Sequence, residues 1–334
     1  MTPLDWQLAA RRAAQLAPAG RTASPARMRG LVYTLHRAAV EALPMVGDVT
    51  DLHDAADSAA QNPVYVVDRA RWAEANAQTF STLAGSVLLE DGAFSSRTAA
   101  EEIGVVLAML SPRVLGQFDP FNGSRLLLVA PNILAAERDM ALDSADFRLW
   151  VAVHEQTHAV QFAAAPWLAE HLAGRISALT EELSGREESS LIADLADAVV
   201  RTVRDEDQGD VLTRALTDTE RDEFDSLIAV MSLLEGHADV VMDAVGPERI
   251  PGVAKIRRSF DQRRNTSRGL GSVIRKLLGL DVKLAQYRDG ATFVRAIVDE
   301  AGHESLNAVW SSPETLPSAA EIAEPSLWLT RVHG

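Results

Sequence analysis

Residues 151–160 read Val-Ala-Val-His-Glu-Gln-Thr-His-Ala-Val, and the interpretation of the whole sequence starts from this stretch. His154 and His158 are four residues apart, so in a helix their imidazoles project from one face, one turn from each other. Glu155 lies beside that face. Two imidazoles at this spacing, with a carboxylate next to them, predict a helix that binds one zinc ion and supports hydrolysis.

The residues around the motif predict that its helix is buried. Polar residues before it supply candidate N-terminal caps, namely Asp143, Ser144 and Asp146. Burying two imidazoles and a carboxylate without partners costs several kcal/mol, on the order of one lost hydrogen bond or more for each group. A purely structural interpretation therefore needs a partner for each of the three. The apolar neighbours are Phe147, Trp150, Val151, Ala159, Val160 and Phe162.

The composition limits the kind of metal site. The chain has 334 residues, of which 47% are hydrophobic, so it is long enough to bury a large core. It contains no cysteine, which excludes disulfides and thiolate ligands and is compatible with a reducing compartment. Any bound metal must therefore be held by histidine, aspartate or glutamate side chains.

The charge and the apolar runs limit the partners. A formal net charge of −15 argues against general binding of nucleic acid, because phosphate contacts need a cationic surface. The apolar runs, such as residues 105–110 and 126–130, are too short to span a bilayer, and residues after Asp5 do not resemble a signal peptide. We therefore expect a soluble cytoplasmic protein that contacts neither nucleic acid nor membrane. Nothing in the sequence sets its oligomeric state.

One basic segment runs against the acidic composition. Between Lys255 and Lys276, Asp261 is the only acidic residue. Such a patch is suited to steering an anionic substrate, but it also fits a solvated helix face that pairs with acidic residues elsewhere. Its members are Lys255, Arg257, Arg258, Arg263, Arg264, Arg268, Arg275 and Lys276.

The hydrophobic periodicity predicts a mainly α protein with a small β-sheet, an α+β class. Residues 63–68 are predicted to be a short extended segment. Arg125–Val129 is the clearest strand, with a turn before it at residues 121–124. If this strand has a free edge, an extended substrate can pair with it; otherwise it is an internal strand. Helices are predicted over Leu4–Leu16, over Ala26–Ala42 with an end before Pro44, and over Arg69–Leu88.

We interpret residues 1–334 as a single domain. Residues 1–110 form an N-terminal helical part, and residues 111–310 form the core that carries the metal site. The charged segment 179–225 is predicted to be an inserted, solvated helical stretch. Residues 311–334 form a C-terminal surface tail, in which residues 311–325 are predicted to be a loop.

Two histidines are too few for a stable zinc site, so a third protein ligand is needed. The best candidate is Glu235, in the apolar helical segment 231–243; His237 and Asp239 are the alternatives. Glu235 and Asp239 share a helix face, so Asp239 is also a candidate acceptor for the second N–H of a ligand histidine.

These parts predict the chemistry of an amide hydrolase. Zinc lowers the pKa of a bound water, and Glu155 is placed to act as general acid/base on that water and on a leaving amine. His237 and Tyr287 are candidate donors to the oxyanion, although Tyr287 fits equally well as a helix residue packed half in the core. The expected substrate is a peptide or another amide.

Several blocks of the sequence resemble the zincin-like metallopeptidase type 2 family, whose members are labelled as hydrolases associated with deazaflavin-coenzyme biosynthesis. The resemblance covers roughly residues 30–310. It implies a mostly helical zincin-like fold in which His154, His158 and Glu235 hold zinc and Glu155 is the acid/base. The chain has no nucleotide or flavin fingerprint, so zinc is the only cofactor predicted. The matching blocks are residues 113–121, 128–132, 154–168, 235–239 and 283–293.

Two alternatives use the same residues differently. Glu155 with His158, and Glu300 with His303, are Glu-x-x-His pairs of the kind that helical di-iron proteins use, although Gly302 disfavours a regular helix at the second pair. The other alternative is a noncatalytic protein whose zinc is structural. Such sites are usually closed by four protein ligands, so Glu155 would have no role in one.

Overall fold

A computed structural model describes residues 2–20, 23–83, 88–89, 93–184, 217–265 and 290–334. The predicted fold class is confirmed, because the described chain is mainly helical with one small three-stranded sheet. Within these residues, no helix is both long and apolar enough to cross a membrane. Most of the charged segment predicted at residues 179–225 lies outside the described residues.

The first part of the chain packs three helices against the sheet. Two-residue strands, β1 and β3, pair with each other antiparallel, and helix α1 contacts α4 and α5. The elements in chain order are β1 (Thr2–Pro3), α1 (Trp6–Leu16), α2 (Pro25–Thr50), α3 (His53–Ala59), β2 (Val64–Val67), α4 (Arg69–Leu83), β3 (Leu88–Leu89), α5 (Ala93–Leu110), β4 (Gly116–Asp119) and β5 (Arg125–Val129).

The second part contains the helix that carries the His-Glu-x-x-His motif. Short 3-10 turns at Asn307–Trp310 and Pro313–Thr315 separate the last long helix from two short ones. The helices are α6 (Ala130–Asp139), α7 (Ser144–Ala164), α8 (Leu168–Ser184), α9 (Asp218–Ala244), α10 (Gly246–Arg249), α11 (Val253–Asn265), α12 (Gly290–Leu306), α13 (Ala319–Ala323) and α14 (Pro325–His333).

The sheet has the strand order β2-β5-β4. β5 pairs parallel with β2 and antiparallel with β4, so it is the central strand. The strand prediction for Arg125–Val129 is confirmed, and so is the extended segment at residues 63–68. The idea that Arg125–Val129 offers a free edge is wrong, because β4 covers it. Among the described residues β4 pairs only with β5, so its other side is an edge of the sheet.

Helix α2 does not end before Pro44 as predicted; it continues to Thr50. A proline inside a helix removes one backbone hydrogen bond and its ring crowds the preceding turn, a cost of about 3 kcal/mol. The residues after it repay this by tertiary packing, since Val46 and Thr50 are fully buried. Pro44 itself is exposed, so its ring meets solvent rather than the core.

Two other boundaries differ from the prediction. The third predicted helix ends at Leu83 rather than Leu88, with Leu88–Leu89 forming strand β3. The C-terminal stretch predicted as a loop contains a 3-10 turn and α13, and α14 follows it. Trp328 on α14 is fully buried and its indole N–H donates to Thr315 O at 2.8 Å, so apolar burial orders this tail.

Helix α7 runs through the middle of the core. Asp143 caps its first turn, as predicted, by accepting hydrogen bonds from the backbone N–H groups of Ala145 and Asp146. One face of α7 packs against α2 and α3, and another packs against α9. The motif is therefore held between helices that are far from it in sequence.

Buried hydrogen bonds fix β4 between α4 and α7. Gln117 accepts from the indole N–H of Trp72 at 2.8 Å, and Asp119 accepts from Thr79 at 2.9 Å and pairs with Arg125. Asp119 is 1% exposed, so this ion pair is shielded from water. On the other side of β4, Phe118 packs against Phe162 of α7. The strand is thus held directly beside the motif helix.

Candidate metal centre

The two histidines of the motif converge in the way that the helical spacing predicts. The Nε2 atoms of His154 and His158 lie 3.3 Å apart, and their rings meet edge to face with centroids at 4.8 Å. Both residues lie in the regular part of α7 and are partly buried. Two imidazole nitrogens therefore face the same point.

Helix α9 brings the predicted third ligand to that point. The Glu235 carboxylate lies 3.7 Å from His154 Nε2 and 3.6 Å from His158 Nε2. Ligand atoms bound at about 2.0–2.1 Å to a tetrahedral zinc are themselves about 3.3 Å apart, so these distances suit one ion. Among the residues that the structure describes, this is the one group of His, Asp or Glu side chains close enough to share a metal.

A close helix crossing positions Glu235. Gly236, the next residue on α9, meets Gly290 at the start of α12, and a Cβ on either residue would overlap the backbone of the other helix. Both positions therefore need glycine, because the two helices approach too closely to leave room for a side chain. The contact fixes α9 beside the three side chains of His154, His158 and Glu235, which we call the metal group.

The protonation state of His154 also suits a metal. Burial, helped by the neighbouring charge of His158, lowers the pKa of His154 to about 4. His154 is therefore neutral at pH 7 with a lone pair available for a ligand bond. A charged imidazole would have no such lone pair.

Glu155 lies on the side of α7 that faces β4. It is 6% exposed, and an added Cβ at Gly116 would stand only 2.6 Å from its Cγ. Burial, reinforced by the charge of Glu235, raises the pKa of Glu155 well above the ordinary value, while a hydrogen bond from the Phe118 backbone N–H opposes the shift. The structure thus holds this carboxyl against the strand in an environment that favours its protonated form.

The edge of β4 faces Glu155. In the antiparallel pairing, Val129 N donates to Leu115 O and Gln117 lies opposite Leu127. Backbone direction alternates along a strand, so Gly116 and Phe118 point their N–H and C=O groups away from β5. The Phe118 N–H on this edge donates to the Glu155 carboxyl, so the edge and that carboxyl together form one side of the centre.

The second ring nitrogens of the two histidines have different partners. His158 Nδ1 lies 2.8 Å from Gln161 Oε1, whereas His154 Nδ1 lies 3.1 Å from the Met242 sulfur. Asp239 was predicted as an acceptor for a ligand histidine, and its charge raises the pKa of His154. Its Oδ1 forms an ion pair with Arg257 at 3.4 Å. The acceptor that the structure places on a ligand histidine is Gln161.

Comparison with known proteins agrees with this geometry. A family model described as "Zincin-like metallopeptidase" matches residues 4–329. The chain belongs to the zincin-like metallopeptidase family. It is also similar to a solved protein of Chloroflexus aurantiacus described as "a putative hydrolase with a novel fold", with a TM-score of 0.66, 30% identity and 98% of each chain covered. No curated protein matches the chain.

Of the two candidate oxyanion donors of this zincin-like chain, the structure describes only His237. His237 is fully buried; its Nδ1 lies 2.9 Å from Gln161 Nε2 and its ring packs against Trp310. The group of described side chains close enough to share a metal does not include His237, and its predicted role as an oxyanion donor stays a prediction. Tyr287 lies outside the described residues, and its predicted role stays a prediction.

The basic segment is only partly described. Arg257 pairs with Asp239 and with Asp243 at 2.6 Å and lies over the Trp150 ring, while Lys255 donates to the Ala141 carbonyl. The contacts of Arg257 and Lys255 agree with the interpretation of this segment as a helix face that pairs with other groups. Steering of an anionic substrate stays a prediction, because the side chains beyond Phe260 in this segment lie outside the described residues.

Sequence reasoning gave no role to Gln161 or to residues 116–119. Gln161 follows His158 by three positions, so the helical spacing already placed the two side chains on one face. The role of β4 has no comparable local signal, because only the strand order shows that it is an edge. A cavity of about 590 Å³ lies elsewhere, between α3, the end of α7 and the 3-10 turn at Asn307–Trp310, and no metal-group residue lines it.

Proposed function

We propose that this protein is a zinc-dependent hydrolase that cleaves a peptide or another amide bond, with Glu155 as general acid/base. The observation that carries the proposal is the convergence of His154, His158 and Glu235 at distances that suit one tetrahedral ion. Membership of the zincin-like metallopeptidase family and similarity to a protein described as a putative hydrolase support it.

Zinc fits this donor set better than other common divalent ions. Two imidazole nitrogens and one carboxylate suit zinc, whereas magnesium and calcium prefer oxygen ligands throughout. Within the described ranges, the group has three protein ligands, which is the number typical of catalytic sites that leave a position for water. Zinc bound there would lower the pKa of its water toward neutrality and polarise a substrate carbonyl.

The Glu155 carboxyl supplies the proton transfers. In the proposed mechanism the Glu155 carboxylate would accept a proton from the activated water and then donate that proton to the nitrogen of the leaving amine. Its environment differs from that of Glu235, whose side chain is about half exposed and faces both histidines. The two glutamates therefore take separate roles, Glu235 as ligand and Glu155 as acid/base.

The edge of β4 suggests how an amide substrate would lie. Gly116 and Phe118 direct backbone groups away from β5, so an extended peptide segment would add to the sheet there by taking the place of the Glu155 carboxyl on the Phe118 N–H. A peptide in that position would run beside Glu155, which contacts both residues. This favours an extended peptide over a compact amide as the substrate.

The test combines metal analysis with an unbiased peptide-library digest of the wild-type protein and the Glu155→Gln variant. We expect about one zinc per chain in both proteins and cleavage only by the wild type, because the variant keeps the ligands and loses the proton carrier. Cleavage by both proteins would show that Glu155 has no catalytic role. Metal bound with no cleavage by either would favour a noncatalytic zinc protein.

The ligand assignment needs its own variant. In Glu235→Gln we expect clearly reduced zinc occupancy, because a neutral amide is a much poorer zinc ligand than a carboxylate. Full occupancy in this variant would remove Glu235 from the site. Two iron atoms per chain would instead favour the di-iron alternative, against which Gly302 already argues, since its φ of 82° interrupts the helix between Glu300 and His303.

A further inference from the structure

Gln161 connects a proposed metal ligand to the neighbouring helix. It is fully buried on α7, one turn beyond His158. Its Oε1 lies 2.8 Å from His158 Nδ1, and its Nε2 lies 2.9 Å from Leu234 O and 2.9 Å from His237 Nδ1. All three groups that the amide meets belong to the surroundings of the metal group.

The backbone carbonyl of Leu234 fixes which way the amide points. A carbonyl oxygen can only accept, so the group that faces it must be the NH₂ of Gln161. The reverse orientation would set two acceptor oxygens against each other about 2.9 Å apart. Gln161 Oε1 must therefore face His158, and because this oxygen can only accept, His158 Nδ1 must carry the proton.

The same amide fixes the tautomer of His237. The second N–H of Gln161 points at His237 Nδ1, so that nitrogen accepts and the ring proton lies on Nε2. Burial lowers the pKa of His237 to about 3, which agrees with a neutral ring at this position. The buried His237 thus supports the amide rather than the substrate.

The two proposed histidine ligands are not held equally. His154 Nδ1 contacts a thioether sulfur, which is a weak acceptor, whereas His158 Nδ1 donates to an amide oxygen whose orientation is fixed. A proton held on Nδ1 leaves Nε2 with a free lone pair. His158 is therefore ready to bind an ion before any ion arrives.

We infer that Gln161 is a positioning residue: by way of Leu234 O and His237 it fixes the tautomer and ring orientation of His158 in the metal-free protein. This inference rests on the metal site proposed above. It predicts that the site is preorganised on its His158 side, and that removing the Gln161 oxygen weakens metal binding without removing a ligand. Outer partners of metal-bound histidines typically change metal affinity by about 10- to 100-fold.

The experiment uses the full-length protein with a matched pair of variants. Gln161→Met removes the acceptor and keeps a similar volume. Gln156→Met is the control, because Gln156 is also buried on α7 and donates to a backbone carbonyl, Ala39 O at 2.9 Å, on the face toward α2. Zinc affinity is measured by competition with a chelator, and cobalt(II) absorption reports the coordination geometry.

We expect Gln161→Met to bind zinc about 10- to 100-fold more weakly than wild type, and Gln156→Met to bind it as wild type does. Equal zinc affinity in Gln161→Met and Gln156→Met would overturn the inference. A general loss of stability would lower the zinc affinity of both methionine variants. An effect specific to the Gln161 contact would lower it only in Gln161→Met.

Imidazole nitrogen NMR of the metal-free protein tests the tautomer directly. We expect His158 in the Nδ1–H form in wild type and in Gln156→Met, and a shift toward the Nε2–H form in Gln161→Met. An Nε2–H form in the wild type would contradict the inference. If the wild type bound no zinc, the proposed function would fail, yet this measurement would still decide the role of Gln161.

Discussion

The two buried faces of α7 differ in what their polar side chains contact. On the face toward α2, Gln156 donates to the backbone carbonyl of Ala39. On the face toward α9, Gln161 meets His158, His237 and a backbone carbonyl at once. Both glutamines are almost completely buried, so burial does not separate them. The partner of a buried polar group, and not its burial, therefore indicates whether it supports the fold or the site.

The faces also differ in how closely the next helix approaches. Toward α9, the position of the partner helix depends on the Gly236–Gly290 crossing with α12, where no side chain fits. Toward α2, the contact is made by ordinary apolar side chains, including Leu35, Ala39 and Val46. A small displacement is therefore tolerated better on the α2 face than on the face that carries the metal group.

The largest effect is expected from Gly236→Ala. The added methyl group would overlap the α12 backbone, so the helices must separate, and we expect a loss of about 3 kcal/mol or more in the free energy of unfolding. Zinc affinity should fall with it, because Glu235 moves with α9. Chemical denaturation and zinc competition measure the two effects.

Gly30→Ala is the control for that variant. Gly30 lies in α2 with open space where a Cβ would stand, so alanine should raise the free energy of unfolding by about 0.5–1 kcal/mol. Its zinc affinity should not change. If Gly236→Ala behaved like Gly30→Ala, close helix approach would not distinguish the two faces of α7.

An intermediate effect is expected from pH, because histidines with lowered pKa values lie on the α9 side. An imidazole in the unfolded chain titrates near 6.5, whereas His237 in the folded protein has a pKa lowered to about 3. Between these values the unfolded state binds a proton that the folded state does not. The free energy of unfolding of the metal-free protein therefore falls as pH falls, by about 1.4 kcal/mol per pH unit for this group.

Urea unfolding at pH 6.5, 5.5 and 4.5, with a chelator present, measures this slope. Glu155 contributes with the opposite sign, because its pKa is raised, so the slope is best compared between the wild type and His237→Gln. We expect the slope of the free energy of unfolding against pH to be smaller in the variant by about 1.4 kcal/mol per pH unit, which corresponds to close to one proton. An unchanged slope would mean that His237 does not remain neutral in the folded protein.

The smallest effect is expected at the start of α7, which belongs to neither face. Asp143→Ala removes the side chain that accepts from the N–H groups of Ala145 and Asp146, and should cost about 1 kcal/mol of stability. Zinc affinity should stay within a factor of two of wild type, because the motif begins more than two turns later. A larger loss of affinity would show that the start of the helix also positions its ligands.

Local spacing explains which parts of this fold were predictable. The convergence of His154 and His158, the Asp143 cap and the strand Arg125–Val129 each depend on residues within a few positions of one another. The candidate Glu235 needed a further step, namely that two imidazoles require a third ligand. These features could therefore be predicted without knowing how the helices pack against one another.

Local sequence patterns thus predicted the motif helix, its candidate metal ligands and the α+β class of this protein. Only packing decided that α2 continues past Pro44, that β4 and not β5 is the edge strand beside Glu155, and that His237 contacts Gln161. Each of these depends on contacts between segments tens of residues apart. Packing energy from such contacts outweighs local preference, and no local pattern in the chain records it.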